Sequence, residues 1–480
     1  MKKLLIIISL VLLVGSLFAG EMYDQAVVNA KEINEKIAEL DLPWTAGAPK
    51  ALKQFEAHGI TDLEAIFDKW HGYRDLPEPA QRDIHKYFFA DKATTRDSQI
   101  VSSQFMYLAV GDVALPDSFI QVHTPIRNQA YHGTCWAFAT VGAFESAMMV
   151  QKDGLFGSET ASPVTQQLDT YDFSEQFLSF HNIDWDVYIE SAYDPTESDF
   201  IIQDASYDAG GNQHFSTYNS IRYGLPLEED FPYKGFDVNP WILWNPVVDD
   251  WRDRVEKSTK SILIYYGDEL SWLGVPYEYY NWAIKEALIK FGAVGVSFSV
   301  PNDYNYYTEG IYIPTTNELG GGHAVTLVGW LDMDAIKDLG WASEDATSVE
   351  VNDPFSGLTW DATEFWVIKN SWGKWGWNGY YVIPMASKKL YDFSAEYGYG
   401  ITPWMIEYRN MFVPLFEEAY SDLEDIDFNN DGKVDEADFD LIVGAYGTPS
   451  TTYDISVPRD YFVDHEDIAR FMLIANSIAD

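Results

Sequence analysis

Disulfides cannot hold this chain together, because Cys135 is the only cysteine in its 480 residues. Stability has to come from ordinary burial, and a composition that is 47% hydrophobic and 16% aromatic supplies ample material for one large core or two. Positive charge is scarce as well: 31 Lys and Arg stand against 75 Asp and Glu, a formal net charge of −44. That balance excludes nucleic acid as a partner, since a phosphate backbone needs a positive surface. It fits a surface that resists association, and carboxylates able to take divalent cations. Long apolar runs are the third scarcity. The one marked run lies in MKKLLIIISLVLLVGSLFAG, where two lysines precede an apolar stretch that ends in small residues near Ala19 and Gly20. It is shorter than the roughly 20 residues a spanning helix needs, and it reads as a secretory signal peptide. No later segment is long and uncharged enough to span, so the expectation is a secreted, extracellular protein. A lone thiol kept in an oxidising compartment points to chemistry.

The texture of the chain changes along its length. Residues 21–113 are rich in Lys, Glu and Ala; in KEINEKIAEL the positions Ile33, Ile37 and Leu40 fall on one helical face. From Ala114 to Pro384, strand-like runs such as AVGVSFSV, GHAVTLVGW and EFWVIKNSW alternate with a few helices and many turns. CWAFATVGAFESAMMVQKDG predicts a helix whose apolar face runs through Phe138, Val141, Phe144 and Met148, closed by Gly154. A third region follows as an aromatic linker over 385–420 and a compact acidic module over 421–480.

Cys135 therefore sits at a helix start. A thiol attacks as its thiolate, and an ordinary cysteine with a pKa of about 8.5 is mostly protonated at neutral pH. Helix N–H groups favour the anion, and an imidazolium nearby would favour it further and return a proton to a leaving group. Among the nine histidines, His323 stands out: it follows GGG and opens a strand, so a rigid element aims the ring. On position alone a buried structural histidine is an equal reading. Asn370, at the end of the strand-like WVIKN, is a candidate to fix the imidazole, although an Asn there is also an ordinary turn residue. Trp372 lies close enough in sequence to cover that contact. Gln129, six residues before the cysteine, offers a side-chain amide to a developing oxyanion beside the Cys135 N–H.

Taken together, Gln129, Cys135-Trp136, GHAV with His323, NSWG with Asn370 and the run WGWNGY make the chain resemble a papain-like cysteine peptidase over about residues 114–384. SEQFL at Ser174, GGN at Gly210 and EGIYI at Glu309 extend the likeness. The resemblance implies an α+β, papain-like two-lobed fold, a helical lobe plus a β-barrel-like lobe, preceded by a helical prosegment that occupies the cleft until removed. It implies Cys135, His323, Asn370 and Gln129 as the catalytic set, Gly210 and Gly211 as the strip pairing with substrate backbone, and Trp372 beside them in the cleft. No cofactor is implied for catalysis, and the substrates would be proteins or peptides. The half-cystines usual in the family are replaced here by His132 and His181, with Asp208 nearest the third position; His132 and Asp208 are expected to approach each other. Insertions around 151–172, 184–207, 236–275 and 331–360, some dense in aromatics such as NPWILWNPVVDDW, read as added packing, with extended subsites or a sugar platform as the other reading.

In the tail, DFNNDGKVDEADF sets Asp427, Asn429, Asp431, Asp435 and Asp438 at the ligand positions of a twelve-residue calcium loop, with Gly432 at the turn and the Lys433 carbonyl as a further oxygen. A weaker copy follows in DYFVDHEDIARFMLIA. Paired loop-helix units ending in Asp resemble a dockerin, a small all-α EF-hand-like module; this implies structural calcium and a cohesin-type scaffold protein as partner, with an internal brace against the peptidase as the alternative. The leading expectation is a secreted cysteine endopeptidase made as a proenzyme. A catalytically dead peptidase fold used for binding, and an acyltransferase on the same fold, are the other readings.

Overall fold

The computed structural model describes residues 23–49, 100–102, 115–130, 132–181, 216, 220, 224–235, 251–258, 260–264, 277–397, 402–407 and 411–416, and, in the tail, 426, 428–429, 434, 436–450, 452–453, 455, 463, 467–468 and 471. Helix α1 covers 23–39 and is followed by strand β1 (Trp44–Ala46). The main sheet draws on β2 (Ile100–Ser102), β3 (Phe119–Ile120), β4 (Lys260–Ile264), β5 (Val294–Pro301), β7 (Leu319–Asp332), β10 (Glu364–Lys369), β11 (Tyr380–Pro384) and β12 (Met411–Leu415). Its order is β11-β10-β7-β5-β12-β4-β2, with β3 also paired to β7. All its pairings are antiparallel except β2 with β4. The strands read as near-continuous apolar runs because both faces are covered.

Helix α2 (Cys135–Gln151) lies against β7, β5 and β12 and, on its other side, against α3 (Glu175–His181). The expected apolar face through Phe138, Val141, Phe144 and Met148 is buried, and so is every other residue of α2: the helix is covered all round. Its polar side chains are spent on neighbouring backbone. Ser146 Oγ donates to Val122 O (2.6 Å) and accepts from Ala293 N (2.8 Å); Gln151 Nε2 donates to Phe291 O (2.7 Å) and Pro414 O (2.9 Å). Helix α4 (Tyr277–Phe291) packs across the same region.

The stretch expected as a linker over 385–420 is instead partly built into the sheet domain. It holds α6 (Lys388–Tyr397), the buried residues Trp404, Met405 and Ile406, and β12 in the middle of the sheet. Within the insertion 331–360, α5 (Met333–Asp338) and β8 (Val349–Asn352), paired with β9 (Thr359–Ala362), bury Ile336, Val351 and Trp360, which is the packing reading. Trp251, the described end of the aromatic run in 236–275, likewise packs against Phe177 and Phe231.

The N-terminal segment docks on the sheet side. Strand β1 pairs antiparallel with β6 (Tyr307–Gly310), and Trp44, 3% exposed, donates its indole N–H to Ile313 O at 2.9 Å. Gly310, at φ +98°, allows this approach, since a Cβ there would meet Pro43 O at 2.2 Å. In the tail, α7 (Glu436–Gly444) belongs to a separate small core of Ile426, Ile442, Ile455, Val463 and Phe471. Among the described residues no helix is long and apolar enough to cross a membrane.

Candidate active site

The site forms where the start of α2 meets β7 and the turn after β10. Thr326 on β7 donates to Ala139 O on α2 at 3.3 Å, and Ala324, next to His323, packs in the same cluster as Cys135 and Trp136. The thiol residue is 1% exposed. His323 Nε2 lies 2.8 Å from Asn370 Oδ1. That oxygen also accepts the Ser371 N–H at 2.7 Å, which makes it an acceptor and puts a proton on His323 Nε2. Nδ1 is thus the ring atom that can meet a thiol. Trp372 stacks on the imidazole, centroids 4.6 Å apart, and Phe298 meets it edge-on at 5.9 Å. The ring therefore has one orientation, fixed by a hydrogen bond and two aromatic faces.

Gln129 is tied to the same turn. Its N–H donates to Ser371 O at 2.9 Å, Ser371 Oγ donates to its Oε1 at 2.5 Å, and its Nε2 donates to His132 O at 2.7 Å. Asn128 bridges to Trp372, and Gly373 N donates to Arg127 O at 3.0 Å. The loop before the thiol and the loop after the histidine's partner are thereby laced into one another. Sequence reasoning missed Ser371, although it stands inside NSWG, and Tyr304, whose hydroxyl accepts from Asn370 Nδ2 at 3.4 Å. It also missed the aromatic pile of Tyr304, Trp375 and Tyr307 beside Trp372.

His123 is accounted for elsewhere. Its Nδ1 meets Gln121 O at 2.7 Å and its Nε2 the Tyr380 hydroxyl at 2.6 Å. Burial is the main cause that lowers its pKa to about 3, so it is neutral and structural. Of the other expected residues, Gly210, Gly211 and Asp208 lie outside the described residues, so the proposed approach of Asp208 to the buried His132 does too. In the tail loop, Asp427, Asp431, Lys433 and Asp435 are likewise outside them, while Asp438 is buried and accepts the Asn429 N–H at 3.1 Å. Among the described residues no group of three or more His, Cys, Asp or Glu side chains is arranged to hold a metal.

A buried charged cluster joins α2, α3 and β10. Glu145 accepts from Thr124 and from Phe173 N (2.9 Å), and Lys369 Nζ donates to Thr124 at 3.0 Å. Burial raises the pKa of Glu145 and of Glu175 and lowers that of Lys369 to about 8. Glu228 is pushed up to about 8, chiefly by burial and against the favourable bond from Tyr233 N.

A family profile described as papain family cysteine protease matches residues 117–166 and 203–401. The cathepsin B-like protein CP2 of Giardia intestinalis is 33% identical over 366 residues, covering 76% of this chain and 91% of that protein. Cathepsin J of Mus musculus is 27% identical over 270 residues; the match takes in 54% of this chain and only 56% of the length of cathepsin J. A procathepsin L2 structure from the larval midgut of Tenebrio molitor overlays with a TM-score of 0.46 at 19% identity, over 83% of this chain and 93% of that one.

The position of Glu228 has a measurable consequence. A carboxyl raised from 4.5 to about 8 keeps its proton in the folded state while the unfolded chain loses it. Its stabilising contribution is full below the unfolded pKa and is lost as pH rises toward the folded one. Glu228→Gln, which keeps the acceptor for Tyr233 N, is expected to raise unfolding stability at pH 8 by up to about 4 kcal/mol and to have little effect at acid pH. Equal effects at both pH values in thermal or urea unfolding would contradict this.

Proposed function

The chain belongs to the papain family of cysteine proteases, and on that premise we propose that it is an endopeptidase acting through Cys135 and His323. The observation that carries the reading is the His323 ring, bonded to Asn370 and stacked on Trp372, on the strand packed against the helix that begins at Cys135. The Cys135 thiolate attacks the peptide carbonyl, and the developing oxyanion is met by the Cys135 N–H and the Gln129 amide. His323 gives its proton to the departing amine as the C–N bond breaks, leaving a thioester. Water then adds to that thioester with His323 as base, the C–S bond breaks, and the thiol is restored. Asn370 holds the ring, and Trp372 keeps water from that bond. Gly210, Gly211 and Trp372 would line the substrate.

Residues 21–113 act as a prosegment in this reading. In support, β1 is anchored on the peptidase domain by the Trp44 indole and by the β1–β6 pairing. The signal-like start of the chain supports export. The tail over 421–480 is proposed to be a dockerin-like module with calcium held by Asp427, Asn429, Asp431, Asp435, Asp438 and the Lys433 carbonyl. Hard oxygen donors suit calcium, and the buried Asp438 accepts the Asn429 N–H, which ties the third position of the loop to its last. A cohesin-type scaffold is the partner this module would take.

Cys135→Ala is expected to cut kcat/KM for a fluorogenic peptide amide by about 10⁴-fold or more. Wild-type cleavage by that variant would refute the reading. Product analysis with an added amine separates hydrolysis from acyl transfer. For the tail, chelation with EDTA is expected to lower the melting transition of the full chain's terminal module, and Asp438→Ala to abolish the difference. A module that melts identically with and without calcium would remove the metal from the account.

A further inference from the structure

Between Gln129 and Cys135 stands His132, whose carbonyl takes the Gln129 amide N–H at 2.7 Å while Ser371 Oγ holds the amide oxygen, so the shape of this loop bears on where the amide points. Ala130 in that loop has φ +56°, a left-handed conformation rarely adopted by a residue with a Cβ. Thr134, at the N-cap of α2, makes no side-chain bond to the first turn. A threonine in that place ordinarily gives its oxygen to the turn's N–H groups. Here its hydroxyl lies 2.7 Å from the Tyr233 hydroxyl, whose own proton goes to the Gln129 carbonyl at 2.9 Å. A phenol has one proton, so Thr134 donates to Tyr233. One side chain thereby spans both ends of the loop.

The segment carrying that side chain is itself pinned. Tyr233 N donates to Glu228 Oε1 at 2.6 Å, and Lys234 N to Gln176 Oε1 at 3.1 Å. The Tyr233 ring stands edge-on to Phe138 of α2, centroids 4.9 Å apart. Two residues on, a Cβ added to Gly235 would sit 3.0 Å from the Ala130 Cβ, so the segment lies directly on the strained residue.

From these contacts the geometry points to Tyr233 as a positioning residue for the oxyanion donor: its hydroxyl bridges the Gln129 carbonyl and the Thr134 hydroxyl and holds the loop in the shape that aims the Gln129 amide. This rests on the reading of Gln129 as an oxyanion donor. The Cys135 N–H belongs to a helix buried along its whole length and is placed by that helix. Gln129 is on a loop, so its contribution is the one that depends on Tyr233.

A double-mutant cycle on active preparations of the full chain tests this. Tyr233→Phe is expected to lower kcat about tenfold, less than the 10²–10³ that follows outright loss of a donor. KM, the melting temperature and the rate of Cys135 alkylation should stay at wild-type values. In the Gln129→Ala background the same change should cost nothing further. Wild-type kcat in Tyr233→Phe, or the same loss in both backgrounds, would overturn the proposal. Should Tyr233→Phe lower the melting temperature, Thr134→Ala removes the bridge from its other end and must reproduce the kcat effect, or the proposal falls. A Gln129→Ala variant with wild-type kcat would instead strike the oxyanion reading beneath it.

Discussion

A helix with no solvent face dictates the arrangement of everything around it. Each residue from Cys135 to Gln151 is buried, so α2 needs packing partners on all sides, and it finds them in β7, β5, β12, α3 and α4. Its polar side chains would be costly unless bonded. Glu145, Ser146 and Gln151 answer this by taking backbone groups from segments far away in sequence: Phe173, Val122, Ala293, Phe291, Pro414 and Phe416. These bonds fix where the sheet stands relative to the helix. Because the helix begins at Cys135, they also fix where a histidine on β7 stands relative to the thiol.

The second constraint is the lacing of the two loops that flank the site. Gln129 and Ser371 exchange backbone and side-chain bonds, and Ser371 N also holds the oxygen of Asn370 that orients His323. The oxyanion donor, the ring and its orienting amide are therefore parts of one hydrogen-bonded unit. Ser371 is the shared anchor of that unit, so a rigid interior serves the chemistry as well as stability. His123, also buried, has each ring nitrogen within 2.7 Å of a structural partner, Gln121 O or the Tyr380 hydroxyl, and serves the fold.

Much of this was legible in the sequence for a physical reason. Strands β5, β7 and β10 carry apolar runs; His323 opens the apolar run within β7, behind the glycines that the strand also includes, and Asn370 directly follows β10, so local pattern and site coincide. The surroundings of α2 were not legible, since a helix covered on every side has no polar face to set a period. Strand β12 was not legible within the stretch read as a linker: MFVPL is short and contains Pro414. The proline is tolerated because β12 meets β5 only through Phe412 and Gly295. Tyr233 was invisible: its role consists of two hydroxyl contacts across about a hundred residues, and no spacing rule encodes those.

If Cys135 and His323 work as a pair, the rate of Cys135 alkylation against pH must show it. In enzyme freed of its N-terminal segment, reactivity should persist well below about pH 6 and should be lost in His323→Ala, as a thiolate beside an imidazolium requires. If reactivity in both proteins rises only near about pH 8.5, the thiol is an ordinary one and the account fails.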